Sequence, residues 1–443
     1  MPPNVRADQR AAEDDAFAAA LAGAGVGKSP AFVTALSGGP DSTALALLAE
    51  RFAASHNRRH LALIVDHGLR DGSGDEARRV QARLSAFGVT SRIQSIIAPP
   101  PTASIQEWAR RHRQDLLAAT ARAEGAVVLF GHHADDQAET VAMRLQNQSG
   151  RAGIGGMPLR RWHHDVLFAR PLLGWRRSDL IAVCAAHGCA YETDPSNRNQ
   201  RFERVRIRQM LGKIDQGGAS GRPDVSPAGL VRLASAAGRL VGHLDRATTG
   251  LCDSAFTWHP AGYADFDPKP LSGLPQVVWW HVMRRAIMAI GGAAYGPSAA
   301  GGRECRARLD DGCAATLGGC HFHPVKHGYR LFRETGRYPE QRQITAGVPM
   351  VFAGCWLVTS RCDGIIEPAG IALADADKST LPSGWCKLPH RARQAIPVVR
   401  TLDGRLVYPH LEDVVYQGSK WPVHARHLGM AKSPVFLTDR QIG

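Results

Sequence analysis

The chain has 443 residues, which is enough for two or three domains of ordinary size. Hydrophobic residues make up 44 % and charged residues 21 %, so a sizeable core is expected and global disorder is excluded. The formal net charge of +14 favours a polyanionic partner such as nucleic acid over a merely solvated basic surface.

Strands and helices alternate through the first half of the chain. The hydrophobic periodicities predict, in chain order, helix 8–24, strand 31–36, helix 41–54, strand 60–66, helix 74–88, strand 91–97, helix 104–125, strand 126–130 and helix 134–147. This alternation continues to about residue 213 and predicts an α/β fold, an open parallel sheet with helices on both faces. Ligands of such sheets bind beyond the carboxyl ends of the strands.

The second half of the chain has a different composition. A Gly-, Ser- and Pro-rich stretch at 216–227 predicts a linker, and residues 228–292 have helical spacing. Residues 315–334 predict two short strands joined by a turn. We therefore expect a catalytic domain at 1–215, a mainly helical domain at 225–344 and a small α+β C-terminal domain at 345–443.

The sequence has no feature that indicates export or membrane insertion. Its N-terminal segment is charged and lacks the apolar run of a signal peptide, and no stretch approaches the ~20 apolar residues that span a bilayer. The nine cysteines are odd in number and irregularly spaced, which disfavours a disulfide scaffold. We expect a cytoplasmic protein that does not bind membranes.

The segment SGGPDST (37–43) follows the first predicted strand and opens the next helix. Its small residues let backbone N–H groups approach phosphate oxygens, and the helix N-terminus adds partial positive charge. Asp41 would repel a phosphate unless a bridging Mg²⁺ neutralised the pair, so the loop predicts ATP together with Mg²⁺. The simpler alternative is a βα turn in which Asp41 or Ser42 caps the helix. No Gly-Lys-Ser/Thr follows, which excludes a Walker P-loop.

Two further segments lie where predicted strands end at the same edge of the sheet. VDHGLR (65–70) ends the second strand, and GHHADDQAET (131–140) joins the fourth strand to its helix. They bring to this edge the polar side chains of Asp66, His67, Arg70, His132, His133, Asp135 and Asp136. Asp136 and Glu139 fit a capping box, and paired carboxylates beside a phosphate site also suit a hard cation.

These motifs resemble those of known enzymes. SGGPDST resembles the pyrophosphate loop of the N-type ATP pyrophosphatases, which cleave ATP between its α and β phosphates and leave AMP on the substrate. The two edge segments, with ARRHR (109–113), GRAGIGGM (150–157), RPLL (170–173) and DPSN (194–197), resemble the tRNA(Ile)-lysidine synthetase family over roughly residues 28–210. Gln114 stands where this family often has Tyr.

The resemblance implies an adenine nucleotide alpha hydrolase-like fold and a specific reaction. Members adenylate the C2 carbonyl of the wobble cytidine in a CAU-anticodon tRNA(Ile), using ATP and Mg²⁺. The ε-amine of L-lysine then displaces AMP to form lysidine, and decoding changes from AUG to AUA. The expected partners are therefore this tRNA and L-lysine, with the protein a monomer or a homodimer.

The same resemblance, read with the motifs, assigns roles to individual residues. Catalytic roles are expected for Asp41, His132, Asp135, Asp136 and Arg170, with His133 as an alternative to His132 as proton acceptor. ATP contacts are expected from Ser37, Gly38, Gly39, Pro40, Asp41, Ser42, Thr43, Asp66 and His67. Lysine or tRNA contacts are expected from Arg70, Arg110, Arg113, Glu139, Asp194, Asn197, Arg204 and Arg208, and Mg²⁺ ligation from Asp41 and Asp136.

Residues 198–213 form the most basic short segment of the chain. They contain Arg198, Arg201, Arg204, Arg206, Arg208 and Lys213 against the single acid Glu203. Arg204 and Arg208 are one helical turn apart, so they are candidates for phosphate contacts. A solvated helix face is the alternative for such a run of charges.

Other functions and a zinc site fit the sequence less well. A glutamine-dependent amidotransferase is disfavoured because the sequence has no N-terminal Cys nucleophile. Thiolation of tRNA commonly needs cysteines near the catalytic domain, but the chain has no CxxC and its first cysteine is Cys184. A non-catalytic RNA- or nucleotide-binding protein is disfavoured because Asp41 and the paired acids are present. A zinc site would draw on Cys305, Cys313, Cys320, His321 and His323, whose spacing matches no standard pattern.

Overall fold

The structure is a computed structural model. It describes residues 3–69, 72–96, 101, 105–146, 154–163, 166–192, 203–216, 226–259, 261–293, 296–334, 341–347, 350–360, 362–372, 385–407, 415–416, 419–420 and 423–427. The chain divides into two compact units, Met1–Val241 and Gly242–Gly443. No helix among the described residues is both long enough and apolar enough to cross a bilayer.

The first unit consists of a six-stranded sheet and the helices around it. Its elements are α1 (Pro3–Gly23), β1 (Ala31–Leu36), α2 (Pro40–Ser55), β2 (Arg59–Asp66), α3 (Ser73–Ser85), β3 (Ser91–Ser95), α4 (Ile105–Glu124), β4 (Val127–Leu129), α5 (Ala134–Gln146), β5 (Arg160–His163), β6 (Val166–Ala169), a 3₁₀ turn (Pro171–Gly174), α6 (Arg177–His187), α7 (Glu203–Gln216) and α8 (Pro227–Ala255), which ends in the second unit. The predicted bounds of the shared elements agree to within a few residues.

The sheet has the strand order β3-β2-β1-β4-β6-β5. The first five strands of this order are parallel, which confirms the predicted α/β architecture, and β5 pairs antiparallel with β6 at one edge. The edge hairpin has a simple physical cause. Only two residues separate β5 from β6, and a parallel pair would need a crossover of a dozen residues or more.

Helices cover both faces of the sheet, as the alternation predicts. All six residues of β1 are buried, because the strand lies in the middle of the sheet. On one face, Phe32 packs edge-on against Phe52 of α2, with ring centroids 5.9 Å apart. On the other face, Val33 belongs to the same apolar cluster as Leu117 of α4. Burial of each such side chain contributes about 2 kcal/mol to the free energy of unfolding.

Two glycines allow the loops at the carboxyl edge to approach one another. Gly38 has a φ of +81°, and a Cβ added there would lie 2.7 Å from Cγ2 of Val80. A Cβ at Gly131 would lie 2.9 Å from the carbonyl oxygen of Asp41. The loop after β4 therefore rests directly on the loop after β1, and larger side chains would push the two apart.

The second unit is built on antiparallel sheets. Its elements after α8 are β7 (Phe256–His259), β8 (Tyr263–Phe266), α9 (Gln276–Gly291), α10 (Ala299–Asp310), β9 (Ala315–Leu317), β10 (Cys320–Val325), β11 (Gly328–Arg333), β12 (Arg342–Ile344), β13 (Met350–Phe352), β14 (Trp356–Ser360), β15 (Gly364–Pro368), α11 (Ala369–Ala372), α12 (His390–Ala395), β16 (Pro397–Thr401), β17 (Leu406–Val407), β18 (Val415–Tyr416), β19 (Ser419–Lys420) and β20 (Val423–His427). A five-stranded sheet, β7-β8-β11-β10-β9, packs against α9 and α10.

Two secondary-structure predictions were wrong in this unit. The region 228–292 is not continuously helical, because β7 and β8 form a hairpin whose aromatic residues enter the core beside α9. The region 315–334 forms three strands instead of two. Gly318 and Gly319 both have positive φ and make the tight turn between β9 and β10.

The cysteines considered for zinc do not form a metal site in the described part of the chain, where no group of three or more His, Cys, Asp and Glu is arranged to hold a metal ion. Cys305 and Cys320 are buried in the core against α9, and the Cys320 thiol donates to the carbonyl of Ile287 at 3.3 Å. Cys313 is exposed. Packing in the core therefore accounts for Cys305 and Cys320.

Candidate active site

A cavity of about 470 Å³ opens at the carboxyl edge of the parallel sheet. Its walls come from the end of β1, the loop that follows, the N-terminal half of α4, the loop after β4, and Arg170 after β6. The predicted site residues that line it are Ser37, Gly39, Asp41, Ser42, His67, Arg110, Arg113, His132, Asp136 and Arg170. Tertiary folding thus brings together residues spread over more than 130 positions of sequence.

The SGGPDST loop is held open by its own hydrogen bonds. The Ser42 hydroxyl accepts from the backbone N–H of Ser37 at 3.1 Å and donates to the carbonyl of Gly39 at 3.1 Å. Helix α2 begins at Pro40, and its N-cap residue Gly39 provides no side-chain cap. The alternative in which Asp41 or Ser42 caps this helix is therefore not observed, and the helix N-terminus is available to an anion.

His133 lies at the centre of a cluster of carboxylates. Its Nε2 is 3.6 Å from Oδ2 of Asp41 and 3.4 Å from Oδ2 of Asp136, and its Nδ1 is 3.4 Å from Oδ2 of Asp135. Burial opposes protonation of the ring, but the carboxylates of Asp135 and Asp41 outweigh it and raise the pKa of His133 to about 9. His133 is therefore a cation at neutral pH.

Helix α7 contributes two arginines to the same acids. Arg204 donates from Nε to Glu139 at 2.7 Å and from Nη2 to Asp136 at 2.7 Å. Arg208 donates to both carboxylate oxygens of Glu139, at 2.5 and 3.2 Å. The sequence predicts phosphate contacts for Arg204 and Arg208. In this structure their guanidinium groups instead bind carboxylates of α5.

The predicted capping box of α5 needs a correction. The helix begins at Ala134, and Asp136 accepts from the backbone N–H of His133 at 3.2 Å, so Asp136 caps the helix from its first turn. Glu139 takes no part in capping. Its side chain is 2 % exposed and is engaged by Arg204 and Arg208.

His132 differs in charge from its neighbour His133. Its ring stacks on Phe130 with a centroid distance of 5.7 Å, and the guanidinium of Arg170 lies 5.7 Å above the same phenyl ring. Burial, followed by the nearby cations led by Arg170, lowers the pKa of His132 well below 6.5. His132 is therefore neutral and faces the cavity.

The α4 wall of the cavity is strongly electropositive. Burial and the neighbouring Arg110 lower the pKa of Arg113, and burial followed by Arg113 lowers the pKa of His67. Burial is the larger cause of both shifts, and the smaller contribution of neighbouring arginines reflects positive charges that lie close together at this wall. A bound anion would relieve the repulsion, which makes the wall suited to phosphate groups.

A second cavity of about 270 Å³ lies beside His133. It is lined by His133, Asp135, Glu139, Arg176, Arg177, Ser178 and Arg208, with apolar contacts from α5, α7 and the start of α8. Asp135 is fixed there, because it accepts from the backbone N–H of Arg177 at 2.8 Å and pairs with Arg176 at 3.1 Å. The cavity therefore offers cations and anions within one small volume.

From the sequence, no functional role was predicted for Arg176, Arg177 or Ser178, which line the second cavity. The available signal was the pair of arginines at a helix start, where Arg176 is the N-cap and Arg177 the first helical residue, two residues after RPLL. Such a pair at a helix N-terminus is unfavourable to the helix and indicates a nearby anion.

The remaining predicted residues fall in three places. Asp66 accepts from the backbone N–H of Gly68 at 3.0 Å and shapes the turn after β2, and it does not line either cavity. Gly38, Pro40 and Thr43 contribute backbone and packing to the loop. Arg70, Asp194, Asn197, Arg198 and Arg201 lie outside the described residues.

The two acids proposed for Mg²⁺ are close together and fit such an ion. Asp41 and Asp136 both lie within 3.6 Å of the same nitrogen of His133. Oδ1 of Asp41 is buried and has no hydrogen-bond partner within the described residues, as expected for an atom that awaits a ligand. Two carboxylates completed by phosphate oxygens and water are a usual Mg²⁺ environment.

Comparison with known proteins agrees with this geometry. Residues 14–214 match the family model described as a PP-loop domain. The tRNA(Ile)-lysidine synthase of Methylobacterium sp. strain 4-46 is 38 % identical over 281 residues, which cover 60 % of this chain and 76 % of the relative. That of Novosphingobium aromaticivorans is 36 % identical over 315 residues, which cover 70 % and 89 %.

The chain belongs to the tRNA(Ile)-lysidine synthase family. A third member, from Bradyrhizobium sp. strain BTAi1, is 37 % identical over 286 residues, covering 63 % of this chain and 78 % of the relative. The PP-loop match ends within α7, the helix that carries Arg204 and Arg208. Both cavities are therefore formed almost entirely by the PP-loop domain of this family member.

Proposed function

We propose that this protein ligates L-lysine to C2 of the wobble cytidine of CAU-anticodon tRNA(Ile), consuming ATP and releasing AMP and diphosphate. The product, lysidine, changes decoding from AUG to AUA. Family membership makes the protein an ATP-dependent tRNA-modifying enzyme. The observation that supports the finer proposal is the pair of cavities next to the cluster of His133, Asp41 and Asp136, the first suited to phosphates and the second to a zwitterion.

The first cavity supports adenylation of a base. Backbone N–H groups of the SGGPDST loop and the N-terminus of α2 face the triphosphate, and Arg110 and Arg113 add positive charge on the opposite wall. The O2 atom of cytidine attacks the α phosphorus, and the bond to the β phosphate breaks to release diphosphate. The wobble base is single-stranded in the anticodon loop, so it enters a pocket without the melting of a duplex.

Mg²⁺, when bound, would neutralise charge between the acids and the phosphates. Asp41 and Asp136 would hold it, since Oδ1 of Asp41 is buried, forms no hydrogen bond within the described part of the chain and lies 3.7 Å from Nε of Arg177. His133 carries a positive charge beside both acids, which limits the repulsion between them before substrates bind. The protein thus positions reactants and neutralises charge, with little covalent chemistry of its own.

The second cavity supports binding of the amino acid. Arg176, Arg177 and the N-terminus of α6 suit its carboxylate, and the carboxylate of Asp135 suits an ammonium group. The pKa of Asp135 is lowered to about 2, because the contacts with His133 and Arg177 outweigh burial, so this acid stays ionised. A free amino acid carries both charges that this cavity complements.

The lysine ε-ammonium must lose a proton before it attacks. His133 is already protonated, which leaves the neutral His132 as the imidazole that can accept the proton. Bound phosphates would offset the charge of Arg170 and so raise the low pKa of His132. Nδ1 of His132 is buried and accepts no hydrogen bond from the described residues. The ε-nitrogen then bonds to C2 of the base, the C2–O2 bond breaks, and O2 leaves as part of AMP.

The decisive experiment combines purified protein, ATP, labelled lysine and a CAU tRNA(Ile) transcript. We expect transfer of label to the tRNA with one AMP and one diphosphate released per lysine. An absence of label transfer under conditions where ATP binds would refute the proposed reaction. A transcript in which the wobble cytidine is replaced by uridine serves as the matched control and should remain unlabelled.

The alternative of tRNA thiolation is weaker. The cysteine nearest the ATP loop is Cys184, whose thiol donates to the carbonyl of Pro40 at 3.5 Å. Burial raises the pKa of Cys184 to about 12, so this thiol is not a nucleophile at neutral pH. Among the described residues, no cysteine cluster lies near the first cavity.

A further inference from the structure

Gln114 occupies an unusual position in the wall of the first cavity. It lies on α4 one residue after Arg113 and lines the cavity. Its Oε1 accepts a hydrogen bond from Nη2 of Arg161 at 2.8 Å. A guanidinium only donates, so the oxygen of the Gln114 amide must face Arg161 and the nitrogen must face away from it. Gln114 is thereby fixed as a hydrogen-bond donor.

The anchor that fixes this amide is itself rigid. Arg161 belongs to the edge strand β5, and its guanidinium lies 5.5 Å above the ring of Phe168 on β6. His163, two residues along the same strand, contacts Asp115 at 3.1 Å. The hairpin therefore holds two consecutive residues of α4, and Gln114 cannot turn its amide without losing the bond to Arg161.

The side chain of Gln114 forms no other hydrogen bond within the described residues. Gln114 lines the cavity and its amide nitrogen has two N–H bonds to donate, so an occupant of the cavity is a suitable acceptor. The amide is also neutral, unlike Arg110, Arg113 and Arg170 in the same cavity. It is suited to an uncharged acceptor on a base more than to a phosphate.

We propose that Gln114 is a specificity-determining residue that donates to the unprotonated N3 of the substrate cytosine. This inference rests on the proposed function. Cytosine has an acceptor at N3, whereas uracil has an N–H there, so a fixed donor pairs with the first and repels the second. A fixed donor is what the selection of cytosine over uracil requires at that edge.

The test compares affinities for two full-length tRNA(Ile) transcripts, one with a CAU anticodon and one with UAU. Gln114→Leu removes the donor, and we expect the preference for CAU to fall about tenfold. Gln114→Glu keeps the shape and the contact with Arg161 but presents only acceptors to the cavity. We expect it to reduce the preference further than Gln114→Leu does, because a carboxylate accepts from N3–H of uracil.

Two controls separate this role from a structural one. Gln81→Leu removes a glutamine of α3 that donates to the Ser91 carbonyl at 2.9 Å, and it should leave the preference unchanged. Arg161→Gln releases the amide of Gln114 to rotate, and the preference should fall by less than in Gln114→Glu. If Gln114 had a purely structural role, its substitutions would change the affinities for the CAU and UAU transcripts by the same factor.

The outcomes are distinguishable from failure of the proposed function. If the wild-type protein transfers no lysine to the CAU transcript, both the proposed function and the role of Gln114 are refuted. If it transfers lysine and the CAU preference of Gln114→Glu stays within twofold of wild type, only the role of Gln114 falls. A third outcome is that the Gln114 variants lose discrimination between ATP and inosine triphosphate but keep the CAU preference. Gln114 would then donate to N1 of adenine, and the assignment to cytosine would be refuted.

Discussion

Arg208 donates to both carboxylate oxygens of Glu139, a side chain that is 2 % exposed. Arg204 reinforces the contact from one helical turn away. Because Glu139 is on α5 and the arginines are on α7, the cluster joins the helix that carries Asp136 to the helix that closes the second cavity. Apolar contacts between the same helices accompany it.

We predict that Glu139→Gln lowers the free energy of unfolding by about 3 kcal/mol, because it leaves two guanidinium groups against a buried neutral amide. Urea denaturation followed by circular dichroism measures the change. Glu124→Gln is the matched control. Glu124 pairs with the exposed Arg59 and Arg92, and its loss should cost less than about 1 kcal/mol. Equal effects of the two substitutions would contradict the argument from burial.

Asp41→Asn should reduce diphosphate release at least a hundredfold while tRNA affinity changes less than threefold. The reason is that Oδ1 of Asp41 forms no hydrogen bond within the described residues and is available to the nucleotide and its Mg²⁺, whereas tRNA affinity depends mainly on contacts with basic residues elsewhere. A coupled diphosphate assay and filter binding measure the two quantities. Asp75→Asn, which removes an exposed partner of Arg78, should change neither.

The second cavity gives a prediction about substrate affinity. Arg177→Gln should raise KM for lysine about tenfold with little change in KM for ATP, because a charge-assisted hydrogen bond to the amino-acid carboxylate is lost. Steady-state kinetics with each substrate varied separately tests it. Arg79→Gln, on the exposed surface of α3, is the control. A rise in KM for ATP alone would mean that Arg177 serves the nucleotide.

The low pKa of His132 predicts how stability depends on pH. In the unfolded chain a histidine titrates near 6.5, but the folded protein resists protonating His132. Above pH 6.5 the ring is neutral in both states, and below it only the unfolded state gains the proton, so stability is lost as pH falls. Between pH 7.5 and 5.0 the wild type should lose about 1–2 kcal/mol more than His132→Gln.

Chemical denaturation at the two pH values checks this prediction. Wild type and variant both contain His67 and His133, whose pKa values are also shifted. The contributions of these two histidines to stability therefore cancel in the comparison. If wild type and His132→Gln lose the same free energy on acidification, His132 is not buried in a neutral state. Its proposed role as proton acceptor would then need revision.

The sequence by itself determined the parallel sheet and the composition of its carboxyl edge. Both depend on information that is local along the chain. Strand–helix alternation gives β1 to β4 and their helices, and a parallel sheet necessarily collects the loops after its strands at one edge. SGGPDST and GHHADDQAET were therefore placed together correctly, and both contribute to the first cavity.

Only the tertiary structure decided what each charged group contacts. Arg204 meets Glu139 across 65 positions, and Arg161 meets Gln114 across 47. Neither pairing has a local signal, since an arginine on a helix or an edge strand suits a phosphate, a carboxylate or water equally well. The second cavity and the fixed amide of Gln114 arise from such long-range contacts, because charge complementarity is settled by packing and not by neighbours in sequence.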